Sequence, residues 1–147
     1  MIKSIWTIPI TCEQLNVRSN VNMVKHLGIT FTEIGPDFLR ATMPVDARTM
    51  QIRDKLHGGA SVVLAETLGS VAAWLSAQDP ANTQTLGVEI SASHLRTVDG
   101  GLVTGTVRPV KVGRTLQVWD IEIKDGHDHL VCKSRLSTMN VPLKKHE

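Results

Sequence analysis

An α+β fold, one long helix enclosed by a curved antiparallel sheet, is predicted by three features of this 147-residue chain. The first is the stretch from His57 to Leu75. Two glycines open it, small or apolar helix-compatible residues follow with no solvated face, and Glu66 is its one charge. The second is the run of alternating apolar and polar residues that fills the chain after the Asp79-Pro80 break. The third is a hairpin pattern ahead of the helix, two short alternating runs around Gly35-Pro36-Asp37. A helix against a sheet gives one core, so the chain reads as a single domain over 1–147, with about 1–14 as an N-terminal extension and 141–147 as a frayed tail.

Thr11-Cys12-Glu13-Gln14 has the spacing of a capping box and predicts a short helix. A second helical turn from Val21 to Leu27 closes at Gly28. Ile29 to Ile34 and Phe38 to Met43 are the paired strands of the hairpin, and Pro44 to Leu56 is a polar connection to the long helix. That helix is predicted to end near Gln78, because the residue before Pro80 disfavours helical geometry. Beyond it, Thr85–Leu95 is a strand and Asp99-Gly100-Gly101 a turn into Leu102–Val107. Pro109 and Gly113 then mark a bend or bulge. Leu116–Ile123 alternates with period two, and the Asp125-to-His129 turn leads into Val131–Met139.

The composition excludes several function classes. A 41% hydrophobic and 20% charged chain is an ordinary globule. With 3% aromatic residues and no Tyr it offers no platform for stacking bases, and a formal charge of +2 gives no nucleic-acid footprint. Cys12 and Cys132 have no paired spacing for zinc or a disulfide framework, and no HExxH arrangement occurs. His127 and His129, with Asp125 and Asp128, read as a solvated hairpin tip rather than a metal site. The start of the chain lacks the apolar core of a signal peptide and no stretch reads as a bilayer span, so the expected location is cytoplasmic.

Glu66 is the residue that asks for a reason: a buried salt bridge, a polar contact across an oligomer interface, or chemistry. A carboxylate on an apolar helix is costly unless paired or hydrogen-bonded. Gly69 and Ser70 follow it by three and four positions and share its face, so Gly69 is expected to leave a gap there and Ser70 to line it with a hydroxyl. At the mouth of the helix, His57-Gly58-Gly59 offers free backbone N–H groups and the positive dipole end to a developing oxyanion. Eight residues separate Gly58 from Glu66, about 12 Å at the helical rise. One carbonyl cannot reach both. A second, antiparallel copy of the helix must complete the site, which predicts a dimer with shared active sites.

The residues that carry a family likeness are Ala41-Thr42-Met43-Pro44-Val45-Asp46, Arg48-Thr49, Gln51, Leu56 through Glu66 and Gly69-Ser70-Val71-Ala72. To these add Gly87-Val88-Glu89-Ile90, His94, the Pro109…Gly113 segment, Gln117-Val118-Trp119-Asp120-Ile121-Glu122-Ile123 and Ser134-Arg135-Leu136. Over about Leu15 to Thr138 the chain resembles the hotdog-fold acyl-CoA thioesterases, in the subgroup of 1,4-dihydroxy-2-naphthoyl-CoA hydrolase and the enterobactin-pathway proofreading thioesterase. The resemblance implies a hotdog fold and hydrolysis of aromatic or medium-chain acyl-CoA, with no cofactor beyond the CoA of the substrate and no metal. It implies Glu66 as base or nucleophile, Gly58 N–H as oxyanion donor, and His57 and Gln51 as orienting groups. Ser70 and His94 would line the acyl pocket, between the subunits of a homodimer assembled into a homotetramer. The chain departs from the pattern at Ile52-Arg53-Asp54-Lys55-Leu56, where relatives commonly have Pro and Gly. That change bears on how Gln51 is aimed.

A thioester carbonyl is already activated, so one carboxylate and one oxyanion donor in a water-poor pocket suffice. Coenzyme A needs cations for its phosphates, and Arg108, Lys111 and Arg114 around the Pro109 bend, with Arg53 and Lys55 before the helix, are the candidates. Trp74 and Trp119 read as core or interface anchors. Two other readings stay open: a hotdog 3-hydroxyacyl dehydratase or hydratase, and a non-catalytic acyl-CoA-binding module.

Overall fold

The computed structural model describes residues 2–144. Helix α1 (Cys12–Ser19) starts as its spacing predicts: the Thr11 hydroxyl accepts from Gln14 N–H at 3.2 Å and the Gln14 side chain accepts from Thr11 N–H at 3.0 Å. Helix α2 (Asn22–His26) follows, and Gly28, at φ +70°, turns the chain into β1 (Thr30–Ile34). Strand β2 (Leu39–Pro44), helix α3 (Gly58–Leu75) and strands β3 (Thr83–His94), β4 (Leu102–Val112), β5 (Leu116–Lys124) and β6 (Leu130–Pro142) complete the fold. The six strands form one antiparallel sheet in the order β1-β2-β4-β5-β6-β3. The interruption at Pro109 is a register shift between Pro109 and Lys111, a bulge that bends β4.

The core lies between α3 and one face of this sheet. Leu39, Ala41 and Met43 of β2, Val103 and Val107 of β4, and Trp119, Ile121 and Ile123 of β5 alternate inward and are buried. They meet Leu64, Ala65, Leu68, Ala72 and Ala73 of α3, also buried. The N-terminal residues belong to this core. Trp6 stacks on Trp119 with ring centroids 6.3 Å apart, and Thr7 donates its N–H to Leu75 O and its hydroxyl to Ala77 O. These bonds satisfy carbonyls at the end of α3 that have no partner within the helix.

Four expectations need correction. The helix ends at Leu75 rather than near Gln78, because Ser76 folds its hydroxyl back onto Ala72 O and Thr7 takes the Leu75 carbonyl. The sheet covers only one face of α3. Val63, Glu66, Ser70, Val71 and Trp74 on the other face are half-buried, since six strands curve over one side of a helix and leave the opposite side open. The tail does not begin at 141, because Val141 and Pro142 extend β6 along Gln84 and Thr83; residues 145–147 lie outside the described residues. Finally, α3 is long and apolar enough by composition to cross a membrane, contrary to the reading that no stretch is; in this fold its apolar face packs on the sheet instead.

The two sheet edges differ. At β1, Asn16 of α1 presents an amide that both donates to Phe31 O and accepts from Phe31 N–H, each at 2.8 Å, so a side chain pairs with the edge. At β3, twelve residues long, Leu86 and Val88 are 41% and 59% exposed and the outer side of the strand has no paired strand among the described residues. A long apolar edge of this kind is a template for another strand.

Candidate functional site

The loop before α3 is fixed first. Arg48 grips Asp46 with two side-chain hydrogen bonds, and that contact holds the Asp46 carboxyl below the ordinary carboxylate range. Thr49 O accepts from His57 N–H, and Leu56 N–H donates to Val98 O, which ties the loop to the chain beyond β3. Between these anchors Gln51 to Lys55 forms a tight turn with Asp54 at φ +54° and Ile52 fully exposed. The turn engages Gln51, whose side-chain oxygen accepts from Arg53 N–H. The amide oxygen is thereby engaged in the turn, and its NH2 remains as the group that can donate.

His57 caps α3. Its Nδ1 accepts from Gly59 N–H at 2.8 Å, while Ala60 and Ser61 N–H both return to His57 O. An imidazole that accepts at Nδ1 and is neutral carries its proton on Nε2, where it can donate outward. Within the first turn of α3 this leaves Gly58 N–H without an acceptor among the described residues. Gly58 borders a cavity of about 420 Å³ lined also by Gln51, Lys55, Ser61, His94 and Arg96. The His94 ring stands so close that a Cβ on Gly58 would lie 2.8 Å from its Nε2. The structure thus brings Gln51, His57, Gly58 and His94 to the N-terminal end of α3.

Glu66 and Ser70 form a second cluster, two turns along. Ser70 donates its hydroxyl to Glu66 Oε1 at 3.2 Å. The carboxylate lies against β3 at Gly87, where a Cβ would come within 2.6 Å of Glu66 Oε1. The strand also bulges here, between Gly87 and Glu89. Gly87 was not singled out as a site residue from sequence, because its role depends on a helix and a strand meeting far apart in the chain. Its effect can be measured: Gly87→Ala forces the Glu66 carboxylate aside, since the near atom is the free end of a flexible side chain. Turnover is expected to fall about tenfold or more while stability changes by roughly 1 kcal/mol or less; unchanged turnover would remove Gly87 from the site.

Other candidates fall elsewhere. Gly69 does not open a gap beside the carboxylate: it is buried, and a Cβ there would lie 2.4 Å from Leu136 Cδ2, so its missing side chain serves close packing of α3 on β6. Ser70 and His94 do not meet within one chain, because His94 sits at Gly58 and Ser70 at Glu66. Arg108 is on the sheet face away from α3, bonded to Asp37 at 3.0 Å and stacked on Phe38. Lys111 and Arg114 lie by the β4–β5 turn, and the start of β5 adjoins the other end of α3, through Gln117 beside Ser76. Lys55 pairs with Asp99, and the exposed Arg53 joins the Gln51 turn through its backbone. Arg96 is a further cation in the Gly58 cavity, exposed and without a carboxylate partner among the described residues. Its position two residues after His94 was the signal that could have found it. At the hairpin tip, Asp125 accepts from the N–H groups of His127 and His129 and closes the turn.

Against known proteins, residues 54–132 match the model of the thioesterase superfamily. Over 134 residues the chain is 51% identical to the proofreading thioesterase EntH of Cronobacter sakazakii, covering 91% of this chain and 96% of that one. It is 49% identical to the 1,4-dihydroxy-2-naphthoyl-CoA hydrolase of Escherichia coli over 91% of this chain and 97% of that one. A crystal structure of a thioesterase from Haemophilus influenzae superposes with a TM-score of 0.92 at 43% identity, covering 97% of this chain and 99% of that chain.

Proposed function

The chain belongs to the thioesterase superfamily and is a hotdog-fold thioester hydrolase, and on that premise we propose that it cleaves acyl-CoA esters, aromatic ones among them, at a site shared by two copies of the chain. Glu66 is the attacking or water-activating carboxylate. Gly58 N–H of the other copy receives the developing oxyanion. The observation that carries this reading is the division of labour in the first turn of α3: His57 takes Gly59, the helix takes Ala60 and Ser61, and Gly58 alone is left to donate. His57 Nε2–H and the Gln51 NH2 are the donors available to orient the thioester oxygen or a water.

The two clusters are about 12 Å apart along α3 by the helical rise. A second copy paired antiparallel along the open β3 edge lays its α3 antiparallel to this one and brings its Gly58 end to this Glu66. The exposure of the apolar Leu86 and Val88 on that edge supports the pairing, which would bury them. The same arrangement carries Lys111 and Arg114 towards the partner's Gly58 end, where they join Arg96 as candidate ligands for the CoA phosphates. Two such dimers give the homotetramer that the resemblance implies.

In the reaction Glu66 either bonds to the carbonyl carbon directly or removes a proton from a water that does so. The carbonyl oxygen gains charge on Gly58 N–H, and collapse expels the CoA thiolate, which takes up a proton; where Glu66 attacks directly, the acyl–Glu66 anhydride left behind is then opened by water, which releases the acid and returns the carboxylate. The products are a carboxylic acid and CoA. No step is routed through a metal or an organic cofactor. The test is a panel of acyl-CoA esters assayed for free thiol, with benzoyl-CoA and 3-hydroxyacyl-CoA included. Thiol release from benzoyl-CoA is the expected result; enoyl formation without thiol marks a dehydratase, and binding without turnover marks a binding module.

A further inference from the structure

The open face of α3 continues beyond Ser70. One turn further on, Trp74 forms part of a groove of about 1130 Å³ between α3, the first residues of β3 and the end of β6, with Ser70 at one side and Leu86 and Pro142 in its walls. Arg18, in the last turn of α1, lines the groove too, and its guanidinium carbon lies 4.4 Å from the centroid of the Trp74 ring. Arg40, Arg48, Arg108 and Arg135 each face a carboxylate. Arg18 has none among the described residues.

A cation–π contact of this kind tethers the guanidinium beside the indole without using its N–H groups as hydrogen-bond donors. The fork of those N–H groups matches the two oxygens of a carboxylate. Ser70 binds the Glu66 carboxylate at one end of the groove, and Trp74 lies eight residues from Glu66, about 12 Å along the helix. An extended acyl chain of roughly eight to ten carbons covers that distance at ordinary bond lengths.

We propose that this groove receives the far end of the acyl group and that Arg18 selects chains ending in a carboxylate, so that the preferred substrates are CoA monothioesters of dicarboxylic acids of about this length. The inference rests on the thioester-hydrolase reading with Glu66 as the reacting group, and it adds the polarity of the distal end. A methyl-terminated tail finds apolar walls but leaves the Arg18 donors unused. A carboxylate-terminated tail uses both.

The experiment compares kcat/KM for decanoyl-CoA and for the CoA monothioester of decanedioic acid, with benzoyl-CoA alongside, in the wild type and in Arg18→Glu and Arg18→Lys. The wild type is expected to favour the carboxylated ester about tenfold. Arg18→Glu reverses the preference, and Arg18→Lys keeps part of it through charge without the bidentate fork. The ratio of two substrates is taken within one preparation, so loss of folded protein cancels. Equal rates on the two ten-carbon esters in the wild type, or an Arg18→Glu ratio like that of the wild type, overturn the inference while benzoyl-CoA cleavage leaves the thioesterase reading standing. No thiol from any of the three esters overturns both.

Discussion

Glu66→Gln is expected to lower kcat/KM for benzoyl-CoA by about a hundred- to ten-thousandfold, the usual span for removing a positioned base or nucleophile. The substitution keeps the side-chain volume and leaves an oxygen to accept the Ser70 hydroxyl, which donates to Glu66 Oε1 at 3.2 Å in the wild type. It also keeps the space that Gly87 provides. The fold therefore has no reason to suffer, and Tm should stay within about 2 °C, as for substitutions that leave packing intact. Circular dichroism and gel filtration establish that the variant is folded, and thiol release measures the rate. A folded Glu66→Gln protein that turns over benzoyl-CoA at the wild-type rate would remove Glu66 from the reaction.

Mixing two inactive variants should restore activity. Gly58→Val fills the cavity at the helix mouth, since even its Cβ would lie 2.8 Å from His94 Nε2, and it blocks approach to the amide. Alone, Gly58→Val and Glu66→Gln are each expected to be nearly inactive. If Glu66 of one chain works with Gly58 of the other, a mixed dimer contains one fully native site and one doubly damaged site. Random re-association of equal amounts makes half the dimers mixed, so about a quarter of the wild-type activity should return under two-fold symmetry. If both groups of a site came from one chain, every site in the mixture would carry a defect and nothing would return. This experiment reads the assembly of the site directly, without depending on which acyl group is preferred.

Features set by nearby residues were legible in the chain itself. The Thr11–Gln14 capping box and the left-handed Gly28 both appear where their spacing predicts. So does the Pro109 bulge, and the Glu66-to-Ser70 spacing puts the two side chains in contact. Each depends on residues a few positions apart, where helix and strand periodicity fix who faces whom. The proposal that two copies share the site also rests on rise per residue alone.

The tertiary structure decided what depends on the approach of distant segments. Gly69 is a packing residue because Leu136 lies over it, and Gly87 makes room for the Glu66 carboxylate because that side chain points at β3. Thr7 helps close α3 at Leu75 from 68 residues away, and the sheet covers one face of the helix where composition suggested all of it would be enclosed. Arg18 over Trp74 and Arg96 beside Gly58 are meetings of the same kind. Local spacing encodes which side of an element a residue occupies. Which other segment arrives there is settled by the packing of the whole core, and no window of sequence contains it.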